Sequence, residues 1–245
     1  MNADLAFQQT ANLAAAYAAT PPAYVSYISR TTIRIPRLRR ERDFAYHEIS
    51  RTLDGETTLI ALPQGKHQTV AQGFPLLPTF NAISGFNLRY GMSWHGMPSF
   101  QLSNVAPLTF APIVPHDVDV VVVSTKGYHI RFAPDSSDAK QGTTHVFCTP
   151  TQHELSIAPR NAYFFSEVLI DNASGLPLRV SYVGNSDFKL DFVYGFPEGR
   201  WALQSAHLES TLYGPLHIGR LHFVADTTFS ETHFSATAPL EFDSR

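Results

Sequence analysis

Charged residues, cysteine and long apolar runs are all scarce in this sequence, and each scarcity excludes a class of protein. Asp, Glu, Lys and Arg make up 16% of the 245 residues, and the net charge is −3. The basic excess that holds phosphates is therefore missing, and no nucleic acid is expected as a partner. Cys148 is the only cysteine, which excludes an intrachain disulfide and a cysteine-based zinc site. No apolar run approaches the roughly 18 residues of a membrane-spanning helix, so no transmembrane segment is predicted.

The first 19 residues also lack the marks of a secretory signal peptide. They are rich in alanine, but they contain Asp4 and Gln8 and no basic residue precedes the apolar stretch. If the protein is exported, we expect this sequence to be its mature portion. The same stretch predicts a helix over 3–19, which Thr20-Pro21-Pro22 ends because proline cannot continue the hydrogen-bond ladder.

What the chain does contain is a series of β-strand patterns. Hydrophobic residues make up 44% of it, which is enough for a folded core. Turn signals separate short stretches rich in β-branched and aromatic residues, which is typical of an antiparallel meander. No linker-like composition interrupts the chain, so we expect a single domain over 1–245. The predicted strands are 24–35, 42–50, 57–62, 118–124, 128–133, a strand around Val146, 155–157, 167–170, 178–183, 188–194, 207–212 and 218–225.

Residues 63–115 differ from the rest, because prolines interrupt a series of aromatic residues. Such a segment holds at most short helices, and we expect it to pack across a face of the sheet rather than to expose its apolar side chains. Its side chains either line an apolar cavity, as in small-molecule sites, or form ordinary core. The candidate ligand-binding residues are Phe80, Ile83, Phe86, Tyr90 and Trp94.

One hairpin is more specific than the other patterns. In Val168-Leu-Ile-Asp-Asn-Ala-Ser-Gly-Leu-Pro-Leu-Arg-Val-Ser-Tyr182, the Asp, Asn, Ser and Gly residues supply a turn and Pro177 starts the outgoing strand. This stretch resembles a hairpin of the lipoprotein-carrier (LolA/LolB-like) superfamily. The resemblance implies a mainly β (α+β) fold: one curved antiparallel sheet that forms an unclosed half-barrel, with an N-terminal helix and short helices covering the concave face. It also implies that the concave face holds an acyl chain or another apolar ligand.

A cluster of arginines lies in the early strands, between 30 and 42. Arg34 and Arg39 are the candidates for binding an anionic head group of such a ligand. The alternative is a solvated strand face whose charges protect a sheet edge. Glu41 and Asp43 are near enough in sequence to neutralise part of the cluster.

No pattern predicts catalysis. The sequence has no nucleophile elbow and no phosphate-binding glycine loop, and Cys148 lies in a strand-like stretch where we expect an inert, buried thiol. The histidines occur without the spacing of a zinc site, so we expect no metal, no catalytic residue and no cofactor. The closest groupings are His116 with Asp119, His153 with Glu154, and His207 with His217 and His222.

Together these observations favour a non-enzymatic binding or carrier protein of the bacterial envelope. Its expected ligand is apolar, such as a lipid or acyl chain, and a lipoprotein or another envelope protein is a further expected partner. The expected location is periplasmic or associated with the outer membrane, although the residues also allow a cytoplasmic protein. Two alternatives stay open: a metal-assisted hydrolase using His and Asp from strand ends, and a protein-interaction domain without a ligand.

Overall fold

The computed structural model describes residues 2–18, 22–53, 56–63, 128–133, 142–157, 163–184, 187–213 and 220–240. These residues form two α-helices and ten strands, with short 3₁₀ turns at Pro36–Leu38 and Pro197–Gly199. The helices are α1 (Ala3–Ala18) and α2 (Gln152–Ile157). The strands are β1 (Tyr24–Ile35), β2 (Arg40–Leu53), β3 (Glu56–Pro63), β4 (Tyr128–Phe132), β5 (Thr143–Pro150), β6 (Tyr163–Asp171), β7 (Pro177–Gly184), β8 (Lys189–Gly195), β9 (Ala202–Tyr213) and β10 (Arg220–Ser235).

All ten strands belong to one antiparallel sheet with the order β3-β2-β1-β10-β9-β8-β7-β6-β5-β4. Strands β4 to β10 follow one another as a meander, and β10 then pairs with β1, which brings the two halves of the chain together. Within the described part of the chain, no pairing joins β3 to β4, so the sheet is not closed. The predicted fold class, a mainly β protein with an unclosed antiparallel sheet and an N-terminal helix, is confirmed.

The two faces of the sheet differ in chemistry because side chains alternate along each strand. In β8, Leu190 and Phe192 are buried on one face and Asp191 lies between them on the other. We call the first face the helix face, because its rings at Phe165, Tyr182 and Phe192 contact one another and α1 packs against it. The opposite face, which carries Asp191, is the polar face.

Helix α1 packs closely because its inner side is built mostly of alanine. Asn2 caps the helix, and its side-chain oxygen accepts a hydrogen bond from the Leu5 amide at 2.8 Å. Phe7 supplies the one large inner side chain, and its ring meets Phe165 edge-on with centroids 5.7 Å apart. The buried positions of α1 recur at helical spacing: Ala3, Ala6, Phe7, Thr10, Ala11 and Ala14.

The predicted strand over 155–157 is wrong, because these residues end helix α2. The Leu155 amide donates to the Thr151 carbonyl at 3.0 Å, which starts the helix. Thr151 followed three residues later by Glu154 is the sequence pattern of a helix capping box, a helix signal that the strand prediction did not use. The strand expected over 118–124 and the short helices expected within 63–115 lie outside the described residues.

Candidate functional site

The hairpin between β6 and β7 is held by hydrogen bonds within its own turn. The Asp171 carboxylate accepts from the Ser174 amide at 2.9 Å and from the Ser174 hydroxyl at 2.6 Å. The Gly175 amide donates to the Asp171 carbonyl at 2.8 Å. These bonds, with the Ser174 side chain first, hold the pKa of Asp171 below its ordinary value, so this carboxylate is ionised at neutral pH. The turn therefore presents a fixed negative charge at the end of the sheet.

The same hairpin is tied to the strand beside it. The Asn172 amide donates to the Gly142 carbonyl at 2.9 Å. The side chains of the two segments are also joined, because the Thr144 hydroxyl of β5 donates to the Asn172 side-chain oxygen at 2.6 Å. The turn is thus fixed to two elements that are distant in sequence, β5 and the segment that leads into it.

Helix α1 crosses this turn and contacts it directly. The Thr10 hydroxyl donates to the Gly175 carbonyl. Gly175 has a φ of +72°, and a Cβ added to it would lie 2.7 Å from Cδ1 of Leu13. The left-handed backbone favours glycine here, and a larger residue would also require the half-exposed Leu13 side chain to move.

A second group of contacts holds the end of α1. Trp201, just before β9, is fully buried and donates from its indole Nε1 to the Pro177 carbonyl at 2.7 Å. Its backbone amide donates to the Tyr17 hydroxyl at 3.1 Å, and its ring meets the Tyr17 ring edge-on. On its other side the indole stacks on Tyr194 with ring centroids 4.5 Å apart. Helix α1 is therefore fixed at Phe7, at Thr10 and at Tyr17.

An open cleft of about 460 Å³ lies between α1 and the hairpin. Its apolar lining comes from α1 at Ala6 and Leu13 and from β6 at Ile170. Leu13 is 45% exposed, so an apolar side chain stands at solvent beside the cleft. A volume of this size lies within the range that small-molecule sites use.

The polar lining of the cleft is neutral or acidic. Gln9 and Asn12 contribute amides from α1, and Thr144 and Asn172 contribute polar groups from the sheet side. Asp171 supplies a carboxylate, and no basic side chain lies among the described lining residues. The cleft thus combines apolar surface with hydrogen-bonding groups and a negative charge.

The structure places Arg34, one of the sequence-predicted ligand-binding residues, on the polar face. Its neighbours Ile33 and Ile35 are buried, whereas the Arg34 guanidinium is exposed and pairs with the carboxylate of Asp226 on β10. Asp226 also accepts from His207 of β9 at 2.6 Å. The charge of Arg34 is therefore neutralised by Asp226, and the side chain lies on the side of the sheet away from α1.

Asp226 belongs to a row of side chains that runs straight across the polar face, which we call the polar row. Strand register places its members opposite one another on seven successive strands, from β6 to β2. Asp191 is its most buried carboxylate and is contacted by Arg179 at 3.3 Å and by Lys189 at 3.5 Å. The row consists of Glu167, Ser181, Asp191, His207, Asp226, Thr32 and Asp43.

The remaining predicted ligand-binding residues are not among the described residues that line the cleft. Arg39 is exposed in the turn between β1 and β2, where it has a left-handed backbone with a φ of 49°. The five candidates in the aromatic segment lie outside the described residues, so their role stays a prediction: Phe80, Ile83, Phe86, Tyr90 and Trp94. Conversely, the residues of α1 and the hairpin turn that line the cleft were absent from the predicted site, although the turn itself was recognised.

The histidines and the cysteine are the side chains with the most reactive groups in the described structure, and their surroundings bear on catalysis. His207 pairs with Asp226, and His222 of β10 contacts Glu209 at 3.3 Å. In the part of the chain that the structure describes, no three His, Cys, Asp or Glu side chains come together as metal ligands. Cys148 is buried as predicted, and burial raises the pKa of its thiol to about 12, which leaves it unreactive. No helix among the described residues is long and apolar enough to cross a membrane.

Comparison with known proteins identifies structural neighbours rather than a family. No family model and no curated protein matches the chain. The chain is similar to an outer membrane lipoprotein-sorting protein domain from Vibrio parahaemolyticus, at 10% identity over 97% of each chain and a TM-score of 0.44. It is similar to a DUF1329 family protein from Desulfovibrio piger, at 10% identity over 97% of this chain and 95% of that one, with a TM-score of 0.45.

A LolA superfamily protein from Nitrosomonas europaea is also similar, at 11% identity over 100% of this chain and 98% of that one, with a TM-score of 0.36. This neighbour is named for the superfamily that the hairpin at 168–182 resembles. At such identities and TM-scores the similarity identifies no functional residue. The function is therefore argued from the site itself.

Proposed function

We propose that this protein is a non-enzymatic binding or carrier protein of the bacterial envelope that holds the acyl chain of a lipid or lipoprotein on the helix face. The cleft between α1 and the hairpin is the part of the site that the described residues form. The proposed location is periplasmic or associated with the outer membrane. Structural neighbours named for lipoprotein sorting and for the LolA superfamily agree with this proposal.

The observation that carries the proposal is the exposed apolar lining of the cleft. Leu13 is on the half of α1 that faces the hairpin, yet it keeps 45% of its surface exposed beside Ala6 and Ile170. An alkyl chain in the cleft would cover this surface and gain about 0.8 kcal/mol for each buried methylene. Two or three methylenes buried against this lining would supply about 2 kcal/mol, before the cost of ordering the chain is subtracted.

The polar groups around the cleft support binding rather than catalysis. The Asp171 carboxylate is held by two hydrogen bonds from Ser174, and its lowered pKa makes it a poor proton donor or acceptor near neutral pH. The one thiol, Cys148, is buried and protonated. These groups stabilise the protein's own fold, and the proposed activity needs no cofactor.

The cleft is tested with two variants of the same helix. The probe is a pyrene-labelled decanol, and its saturable binding is followed by pyrene fluorescence. Leu13→Gln removes apolar lining and should weaken the Kd about tenfold, which corresponds to about 1.4 kcal/mol of lost burial. Leu5→Gln is the matched control, because Leu5 is 46% exposed on α1 and does not line the cleft. Absence of saturable binding by the wild-type protein, or equal losses in both variants, would contradict the proposal.

We include the aromatic segment in the proposed site as a second apolar wall. Phe80, Ile83, Phe86, Tyr90 and Trp94 are the proposed contacts for the part of the chain that extends beyond the cleft. Trp94→Ala should then weaken binding of the same pyrene-labelled decanol while the far-UV circular dichroism spectrum stays unchanged. An unchanged Kd would remove this segment from the site without affecting the role of Leu13.

A further inference from the structure

We infer that the cleft between α1 and the hairpin selects a ligand whose polar head is uncharged and carries hydroxyl or amide groups, and that it discriminates against a carboxylate or phosphate head. This inference rests on the proposed function, since it specifies the head group of the proposed apolar ligand. Three properties of the described residues carry it: the sign of the charge in the cleft, the polar groups that line it, and the position of the basic residues.

The charge in the cleft repels an anion. Asp171 is ionised at neutral pH, because the hydrogen bonds from Ser174 hold its pKa below the ordinary value. No described lining residue is basic, so nothing in this part of the chain compensates that charge. A second negative charge about 6 Å away at an effective dielectric constant of about 40 is disfavoured about tenfold in Kd.

The neutral polar groups suit a hydroxyl or amide. Gln9 and Asn12 of α1 are exposed at the cleft, and each side-chain amide offers both a donor and an acceptor. Asn172 uses its side-chain oxygen to accept from Thr144, and no described residue accepts from its amide nitrogen. These groups can pair with an uncharged head without leaving a buried charge behind.

Arg34 and Arg179 are unsuitable for an anionic head in this cleft. Arg34 pairs with Asp226 on the polar face, which is the side opposite to α1. Arg179 lies on the same polar face and contacts Glu167 and Asp191, both at 3.3 Å. An anionic ligand on the helix face would therefore gain no ion pair from Arg34 or Arg179.

The test compares two ligands of equal chain length, dodecanoylglycerol and dodecanoate, at pH 8 and below their aggregation concentrations. Each displaces pyrene-labelled decanol from the full-length protein. We expect dodecanoylglycerol to bind at least tenfold more tightly than dodecanoate. Asn12→Lys places a cation in the lining and should reduce this ratio below threefold, mainly by improving the Kd of dodecanoate. Leu5→Lys adds the same charge to α1 outside the cleft and should keep the wild-type ratio.

The outcomes separate the inference from the proposed function. Equal affinity for the two ligands in the wild-type protein would overturn the head-group inference while supporting an apolar site. The head-group inference would also be overturned if Leu5→Lys changed the ratio of the two affinities as much as Asn12→Lys does. The change would then come from the net charge of the protein and not from a charge in the cleft. If neither ligand displaces the probe and the probe itself does not bind, the proposed function fails and the inference fails with it.

Discussion

Trp201 allows a direct test of how α1 is fixed to the sheet. Trp201→Phe keeps an aromatic ring against Tyr194 but removes the indole N–H that donates to the Pro177 carbonyl at 2.7 Å. Loss of that bond in a fully buried environment costs about 1–3 kcal/mol. The smaller ring adds about 1 kcal/mol for the void that it leaves. We therefore expect the free energy of unfolding to fall by about 2–4 kcal/mol.

The measurement is urea unfolding followed by far-UV circular dichroism, with thermal unfolding as a second readout. For a chain of this length a loss of 1 kcal/mol lowers Tm by about 2–4 °C, so a decrease of about 4–16 °C is expected. Tyr17→Phe is the graded comparison, because it removes only the hydroxyl that accepts from the Trp201 backbone amide at 3.1 Å. It should cost about 0.5–1.5 kcal/mol.

Two results would refute this reasoning. The first is a Trp201→Phe protein whose free energy of unfolding lies within about 0.5 kcal/mol of the wild-type value. This is the low end of the usual net contribution of a hydrogen bond, so the indole N–H would then contribute nothing to stability. A larger loss in Tyr17→Phe than in Trp201→Phe would show that the tyrosine, rather than the indole, holds this end of α1.

Three further predictions concern the turns and the thiol. Gly175→Ala should lower the free energy of unfolding by about 0.5–1 kcal/mol more than Gly142→Ala, because both have a positive φ but only at Gly175 must the Leu13 side chain change its rotamer; equal losses in urea unfolding would contradict this. The hydrogen bond from His233 holds the pKa of Glu198 below its ordinary value, so Glu198 stabilises the fold above its unfolded pKa and loses this effect as pH falls through the folded pKa. Stability measured between about pH 6 and pH 3 should therefore fall more steeply in wild type than in Glu198→Gln, and parallel curves would refute the pairing. Cys148, whose pKa burial raises to about 12, should react with a thiol reagent at pH 8 only as fast as the fold opens, and rapid native labelling would contradict its burial.

The sequence predicted the secondary-structure elements that are determined by interactions between residues close in sequence. The alternation in 24–35 predicted β1 with the bounds that the structure gives, Tyr24–Ile35. The alanine-rich start predicted α1, and the structure has it as Ala3–Ala18. The Asp and Ser residues of the 168–182 hairpin predicted the turn, because the side chains that close it lie within four residues of one another. In each case the deciding interactions are close in sequence.

Helix α2 is a case in which the prediction from local residue types was wrong. Leu155 and Ile157 look like strand residues, but Thr151 and Glu154 have the sequence spacing of a capping box, which indicates the start of a helix. A pattern of six residues is too short for its period to distinguish the two structures. The capping signal was present in the sequence and would have corrected the prediction.

The candidate site depended on the tertiary structure. Thr10 and Gly175 are 165 residues apart, and Arg34 and Asp226 are 192 apart, so no local pattern reports either contact. A shift of register by one residue would move Arg34 to the helix face and separate it from Asp226. Composition and turn chemistry determined that this chain forms an antiparallel sheet with an N-terminal helix. Only the pairing of β1 with β10 and the packing of α1 on the hairpin decided which face is apolar, which arginine is neutralised, and where a ligand can be held.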